Sequence, residues 1–182
     1  MQSVAYFVPV SSFEASKRGR SYLIKVSNLR PEPDSVYFQL DTGAGMSLIG
    51  LNTICGDDEK KKEILHRIIL EESSRFGIKE EVMVAQTVTR EEVNLYPCRC
   101  EGVSVSNTAP KPLYFHIYLG DVSMPLLGFD YIDDCTCHHT INGNFIITAI
   151  ADTVGKRFYP EKVLDFNKIL EEYEKELKEI TP

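Results

Sequence analysis

An aspartate lies where an apolar strand ends, in the segment Val36–Leu40 followed by Asp41-Thr42-Gly43-Ala44. Apolar and polar residues alternate before it, which is the period typical of a β-strand. A carboxyl group in that position is costly to bury unless it accepts hydrogen bonds or shares a proton with a neighbour. Gly43 has no Cβ, so backbone can approach the carboxyl group closely. These residue types favour acid–base chemistry at Asp41, although Asp and Gly are also common in simple turns.

The residues after the aspartate extend this pattern, because Ser47 and two apolar residues follow two positions after D-T-G-A. An apolar strand, D-T-G-A, two residues, serine and apolar residues together resemble the active-site segment of the retropepsin-like aspartic proteases. The resemblance implies a mainly β fold, the retropepsin-like acid-protease β-barrel, and aspartic endopeptidase activity. It implies catalytic roles for Asp41, Thr42 and Gly43.

A second segment, residues 125–132 with the sequence PLLGFDYI, resembles the apolar-apolar-Gly segment of the same family. In that fold a short helix follows the glycine, and the strand that ends in the glycine packs beside the catalytic loop. We expect the strand around Ser21–Val26 to pair with the Val36 strand as the hairpin that delivers Asp41. The long separation between Asp41 and Gly128 predicts one insertion.

Two helices are predicted outside the β-rich part. The first covers about residues 57–77, with acids at its start, an apolar face and Gly77 at its end. Viral retropepsins have no long helix here, so this helix is the expected insertion. The second opens at Pro160 and carries an apolar heptad stripe, namely Val163, Phe166, Leu170, Tyr173, Leu177 and Ile180. The stripe either docks on its own domain or packs on the same helix of a second subunit. The expected protease domain is 1–152, and 153–182 form a C-terminal helical extension.

The sequence pattern at about residues 80–97 predicts a hairpin with its turn near residues 89–91. The family resemblance implies that this hairpin, from its position in the chain, is the flap that closes over bound peptide. The implied substrate contacts come from the loop and the hairpin tip, namely Ala44, Gly45, Gln86, Thr87 and Val88. Flap tips in the family are often rich in glycine, yet no glycine occurs between Gly77 and Gly102.

Aspartic proteolysis needs two carboxyl groups in contact with one water, and this chain has a single aspartate in the required context. The second must come from a copy of the same chain across a two-fold axis, which predicts a homodimer with an isologous interface. Thr42 would brace its twin across that axis. The alternative is a non-catalytic module of the same fold, which binds peptide or holds two partners together.

A group of soft ligands at Cys135-Thr136-Cys137-His138-His139, with Cys98 and Cys100 upstream, raises the alternative of a zinc-dependent interaction domain. The two-residue gap usual between paired zinc-binding cysteines is missing at both places. Ordinary buried thiols and a polar turn explain the same residues. The sequence therefore predicts no metal and no cofactor.

Composition limits the partners of the 182-residue chain. It is 43% hydrophobic, enough for one core, and its net charge of −7 argues against nucleic acid. No stretch approaches the roughly 18 apolar residues of a membrane span. Five cysteines without a secretory signal predict free thiols in a reducing compartment, the cytoplasm.

Overall fold

A computed structural model describes residues 4–8, 11–12, 22–31, 33–41, 43–87, 89–105, 109–139, 145–149 and 154–180. The strands are β1 (Val4–Val8), β2 (Ser11–Ser12), β3 (Tyr22–Ser27), β4 (Ser35–Leu40), β5 (Leu48–Gly50), β6 (Met83–Gln86), β7 (Glu92–Val105), β8 (Lys111–Tyr118), β9 (Leu126–Leu127), β10 (Cys135–His139), β11 (Phe145–Ala149) and β12 (Leu164–Asp165). The helices are α1 (Leu51–Cys55), α2 (Glu59–Arg75), α3 (Phe129–Ile132) and α4 (Phe166–Ile180).

The described strands form two sheets. The larger has nine strands in the order β12-β7-β8-β5-β9-β4-β3-β2, with β6 paired to β7, and the smaller has the order β1-β11-β10. The larger sheet is mixed, since β9 runs parallel to β4 and antiparallel to β5. A strand-rich fold with an inserted helix and a C-terminal helix confirms the predicted fold class.

The predicted hairpin delivers Asp41. Strands β3 and β4 pair antiparallel from Tyr22 with Leu40 to Ser27 with Ser35. Phe38 is the fully buried residue of β4, and its neighbours in the alternating pattern are half-buried or exposed. Burial of this one face holds the register, because a slip by one residue would turn Phe38 towards solvent. The end of β4 is thereby held in place.

Helix α2 is the helix expected near residues 57–77. Asp58 caps its start by accepting a hydrogen bond from the backbone amide of Lys61 at 3.2 Å. Gly77, at a φ of 66°, ends it in the left-handed conformation that glycine adopts without strain. The predicted apolar face is confirmed, since Leu65, Ile68 and Ile69 are fully buried. The helix covers part of the core.

The C-terminal helix begins at Phe166 and not at Pro160, so the predicted start was wrong. The chain before it is extended, and Leu164 pairs with Cys98 in a parallel register. Asp165 then caps the helix, because its Oδ1 accepts a hydrogen bond from the Lys168 amide at 3.3 Å. A capping aspartate sets the start of the helix, and Pro160 lies before the short strand β12 that precedes it.

Helix α4 docks on its own domain, the first of the two predicted arrangements. Phe166 is fully buried and meets the Phe115 ring edge-on at 5.2 Å between ring centroids. Ile169, which the predicted stripe omitted, is also fully buried, whereas Ile180 at the end of the stripe is largely exposed. Leu170, Tyr173 and Leu177 of the predicted stripe also lie against the core, so Ile169 widens the buried face of the helix.

The Cys135–His139 segment and the length of the helices bear on two further predictions. The Cys135–His139 run is a strand, β10, paired with β11, and it is not a polar turn. Asn142 and Gly143, a pair that predicts a hairpin bend, lie in the connection between these strands, which is outside the described residues. No helix in the described ranges combines the length and the apolar character needed to cross a bilayer.

Candidate active site

The Asp41 carboxyl group stands on a short loop between β4 and β5, and β9 lies between those two strands. The Asp41 amide donates to the carbonyl of Leu127 at 2.9 Å, which extends the β4–β9 pairing to the acidic residue itself. The Gly43 amide donates to Asp41 Oδ1 at 2.8 Å. The Asp41 side chain is half-buried, so one side is held by the backbone while the group remains reachable.

Gly43 leaves room for this arrangement. A Cβ at that position would lie 3.2 Å from Asp41 Oδ1, closer than ordinary van der Waals contact. The Ala44 amide also donates back to the Asp41 carbonyl at 3.3 Å, which closes the loop. The D-T-G-A spacing therefore places a backbone donor on the carboxyl group.

Gly128 permits the closest backbone approach at the site. A Cβ there would lie 2.6 Å from the backbone carbon and oxygen of Met46 and 2.8 Å from the Ala44 carbonyl oxygen. The amide of Phe129 consequently reaches that Ala44 carbonyl at 2.7 Å. The expectation that the L-L-G strand packs beside the acidic loop is confirmed.

Ser47 and Asp130 form a buried pair beneath the loop, and neither was among the predicted site residues. Asp130 Oδ1 accepts hydrogen bonds from the Ser47 amide at 2.8 Å and from Ser47 Oγ at 2.7 Å. Ser47 Oγ in turn accepts from the Gly128 amide at 3.1 Å. Asp130 is 1% exposed, and burial of such a group without hydrogen bonds would cost several kcal/mol. The pair ties the acidic loop to α3.

Tyr159 supplies a further donor to Asp130 from the far end of the chain. Its hydroxyl donates to Asp130 Oδ2, whereas the Tyr131 amide donates to Oδ1 at 2.9 Å. Burial, and after it the neighbouring Asp130 carboxyl group, raises the pKa of Tyr159, so its hydroxyl stays protonated and remains a donor. The available signal in the sequence was an acid two residues after the glycine in an apolar segment.

His116 lies against the same cluster. Its ring stacks on Tyr159 with 4.9 Å between centroids, and its amide donates to the Ser47 carbonyl at 2.9 Å. Its Nδ1 has no hydrogen-bond partner in the described part of the chain. Burial lowers the pKa of His116 from 6.5 to about 4, because the enclosed ring loses the hydration that stabilises its charged form. The imidazole is therefore neutral near pH 7.

We expect His116 to make the fold acid-sensitive. The unfolded chain binds a proton at this residue below pH 6.5, and the folded chain does so only near pH 4. The contribution of neutral His116 to the free energy of unfolding is therefore fully present above about pH 6.5. It falls by about 3 kcal/mol by pH 4. In His116→Phe this contribution should disappear. Urea unfolding of both proteins between pH 4 and 8 measures it.

The value at pH 8 isolates the packing effect of the new ring, and the slope below pH 6.5 isolates the titration. Carboxyl groups elsewhere affect both proteins equally. Parallel stability curves for wild type and His116→Phe across the acidic range would contradict the assignment.

The residues predicted to contact substrate fall into two groups. Ala44 is half-buried and Gly45 exposed in the acidic loop, where their carbonyls accept from the first amides of α3. Gln86 pairs with Glu92, and Thr87 lies in the turn of the β6–β7 hairpin. The backbone partners of Gln86 and Thr87 thus lie within the hairpin itself. Thr42 and Val88 lie outside the described residues.

The tip of this hairpin is a closed turn without glycine. The Thr87 amide donates to the Glu91 carbonyl at 2.9 Å, and the Glu91 amide donates to Thr87 Oγ1 at 3.1 Å. Arg90 has a φ of 64°, in the left-handed region that glycine occupies more easily. The hairpin predicted at about 80–97 is present, and its turn is internally hydrogen-bonded.

The cysteines of β7 are buried thiols. Cys98 and Cys100 are free, and burial raises the pKa of Cys100 to about 12. Such thiols are poor metal ligands, since a metal binds the thiolate. Within the described residues no group of three or more His, Cys, Asp or Glu side chains could hold a metal ion. The side chains of Cys135–His139 lie outside that description.

These contacts define a mixed-sheet protein with one half-buried carboxyl group on a braced loop. No protein-family model and no curated protein matches the chain. Among solved structures it is similar to a retropepsin-like aspartic protease from Rickettsia conorii, with 14% identity and a TM-score of 0.42. The similarity covers 82% of this chain and 95% of that one. A TM-score of 0.42 at 14% identity assigns no function to this chain.

Proposed function

We propose that the protein is an aspartic endopeptidase that acts as a homodimer, with one catalytic Asp41 from each chain. The observation that carries the proposal is the placement of Asp41. Its carboxyl group is half-buried at the end of β4, accepts the Gly43 amide at 2.8 Å, and stands on a loop locked to β9. A half-buried carboxyl group that a backbone amide holds in place supports the acid–base role that we propose for it.

The proposed reaction uses the two carboxyl groups in different protonation states. Two acids about 3 Å apart cannot both ionise, so they share a proton and titrate as a pair. The ionised partner takes a proton from the water that attacks the scissile carbonyl carbon. The protonated partner donates to the carbonyl oxygen, and a proton later passes to the departing amine. No covalent intermediate with the enzyme is needed.

The second carboxyl group comes from a copy of the chain across a two-fold axis. An isologous interface brings the same residue of both subunits together at the axis, which is the geometry that a shared proton requires. In this dimer Thr42 braces its twin, and Gly43 presents backbone groups to the peptide.

We also propose a cytoplasmic location. The free buried thiols of Cys98 and Cys100 fit this proposal.

The proposed substrate is a peptide held between the acidic loop and the β6–β7 hairpin. Backbone groups of an extended peptide would pair with the hairpin and with the loop, in the manner of an added strand. The contacting residues in this proposal are Ala44, Gly45, Gln86, Thr87 and Val88. Because the hairpin tip is hydrogen-bonded internally, we propose that the hairpin opens by bending near its base.

A mixed peptide library tests the proposal. We expect cleavage between pH 4 and 7 that the aspartic-protease inhibitor pepstatin blocks. Circular dichroism at each pH confirms that the protein is folded, which matters at the acidic end because of His116. Cleavage that pepstatin leaves unchanged, or no cleavage by a folded dimer across this range, would contradict the assignment.

One observation favours a second candidate, a dimer that binds peptide without cleaving it. The turn at Thr87–Glu91 is closed by its own hydrogen bonds, and a non-glycine residue, Arg90, occupies its left-handed position. A stiff tip would slow closure over the peptide. In this case isothermal titration would show pepstatin or library peptides bound by a dimer, while mass spectrometry would find the peptides intact.

A further inference from the structure

The chain beyond residue 153 is fixed to the turn that follows α3. The Gly155 amide donates to Asp134 Oδ2 at 2.7 Å, and Arg157 Nε donates to Asp134 Oδ1 at 3.0 Å. Arg157 also forms an ion pair with Asp133. We call residues 154–159 the C-terminal latch. It brings Tyr159, at its end, back to the region of the acidic loop.

Tyr159 is held tightly within the core of this region. Its ring stacks on His116 and lies 5.3 Å from the Tyr114 ring, centroid to centroid. The residue is 9% exposed, and its hydroxyl donates to Asp130 Oδ2. Two ring contacts therefore aim one hydroxyl at one carboxyl oxygen.

The two oxygens of Asp130 face opposite parts of the chain. Oδ1 receives the amide and hydroxyl of Ser47, which lies in the loop that carries Asp41. Oδ2 receives Tyr159 from the latch. Loss of the tyrosine hydroxyl would leave a polar oxygen in a residue that is 1% exposed without its donor. Asp130 would then rotate or draw in water, and Ser47 would follow it.

We propose that Tyr159 is a positioning residue for Asp41, acting through Asp130 and Ser47, so that the C-terminal latch completes the support of the catalytic loop. The proposal rests on the proposed function, in which Asp41 must meet its twin within hydrogen-bond distance. A small displacement of a reacting group has a large effect on rate. In this proposal the C-terminal extension, residues 153–182, therefore contributes to catalysis.

The test compares Tyr159→Phe with Tyr173→Phe in the full chain. Phenylalanine keeps the ring contacts and removes only the hydroxyl. Tyr173 is a matched control, because it is a buried tyrosine of α4 that lies near Cys55 and away from the Asp130 cluster. For Tyr159→Phe we expect kcat to fall roughly 10- to 100-fold. KM should change far less than kcat, since the peptide contacts made by the β6–β7 hairpin are unaffected.

For Tyr173→Phe both constants should stay within about twofold of wild type. An unchanged kcat in Tyr159→Phe would overturn the proposal, as would an equal fall of kcat in both variants. A double-mutant cycle with Ser47→Ala adds a test of the route. If Tyr159 acts through Ser47, the double variant should be little worse than Ser47→Ala alone, and strictly multiplicative losses would contradict that route.

Hydrogen exchange separates a failure of this proposal from a failure of the proposed function. Peptides that cover residues 43–50 and 126–131 should exchange roughly tenfold faster in Tyr159→Phe than in wild type, and at the wild-type rate in Tyr173→Phe. This readout needs no activity, so it holds even if the protein cleaves nothing. Unchanged exchange in both peptides would show that the latch does not support the loop.

Discussion

Asp41→Asn should abolish peptide cleavage, with a loss in kcat of about 10⁴-fold or more, because both halves of the acid–base pair disappear at once. The substitution keeps the shape of the side chain. The asparagine oxygen can still accept the Gly43 amide, and the backbone bond to Leu127 is unaffected. Folding and dimerisation should therefore remain as in wild type, which analytical ultracentrifugation and urea unfolding would check.

Asp34→Asn is the matched control for this change. Asp34 is an exposed acid just before the strand that delivers Asp41, so the same chemical substitution leaves the site untouched. We expect its cleavage rate to equal that of wild type. If Asp41→Asn kept its activity as a folded dimer, Asp41 would have no role in the chemistry.

Mixing the two chains tests whether the carboxyl groups work in pairs. Wild-type and Asp41→Asn chains, combined in equal amounts and allowed to re-associate, should pair at random. Only wild-type dimers then carry both acids, so activity should be about a quarter of that of the same total amount of wild type. A value of about one half would mean that each chain acts alone.

Gly128→Ala should be the most damaging single-methyl substitution near the site, costing about 3 kcal/mol of stability or more. The new Cβ would lie 2.6 Å from backbone atoms of Met46 and 2.8 Å from the Ala44 oxygen. Backbone cannot move aside as a flexible side chain does, so either β9 or the Asp41 loop must shift. Urea unfolding measures the loss in stability.

Gly45→Ala is the control for this prediction, since it adds the same methyl group to the same loop. A Cβ there meets nothing within 4 Å in the described structure. We expect its stability to stay within about 0.5 kcal/mol of wild type. Equal stability of the two variants would show that the close approach at Gly128 does not exist in solution.

The local parts of the site were predictable because their signals are contiguous in the sequence. The alternating strand before Asp41, the glycine after it, and the L-L-G segment each combine a period with a breaker residue. Helix α2 was predictable for the same reason, since Asp58 and Gly77 mark its ends and three fully buried residues mark its inner face. Each of these features was found where it was expected.

The support beneath the loop was not predictable, because it joins residues far apart in the chain. Ser47 and Asp130 are separated by 83 residues, and Tyr159 lies 29 residues beyond Asp130. No period or spacing in the sequence indicates such a contact. The start of α4 was missed for a related reason. The pairing of β12 with β7 holds Leu164 and Asp165 in a strand, and this tertiary contact outweighs the local signal of Pro160.

The most direct test of the central claim is the distance between the two Asp41 carboxyl groups in the dimer, from a crystal structure with pepstatin bound. A shared proton requires the two groups to meet across the two-fold axis, with oxygens about 3 Å apart. We predict that distance, with the inhibitor hydroxyl between the two acids. A dimer whose Asp41 side chains lie far apart, or a chain that stays monomeric with the inhibitor present, would contradict the assignment as an aspartic protease.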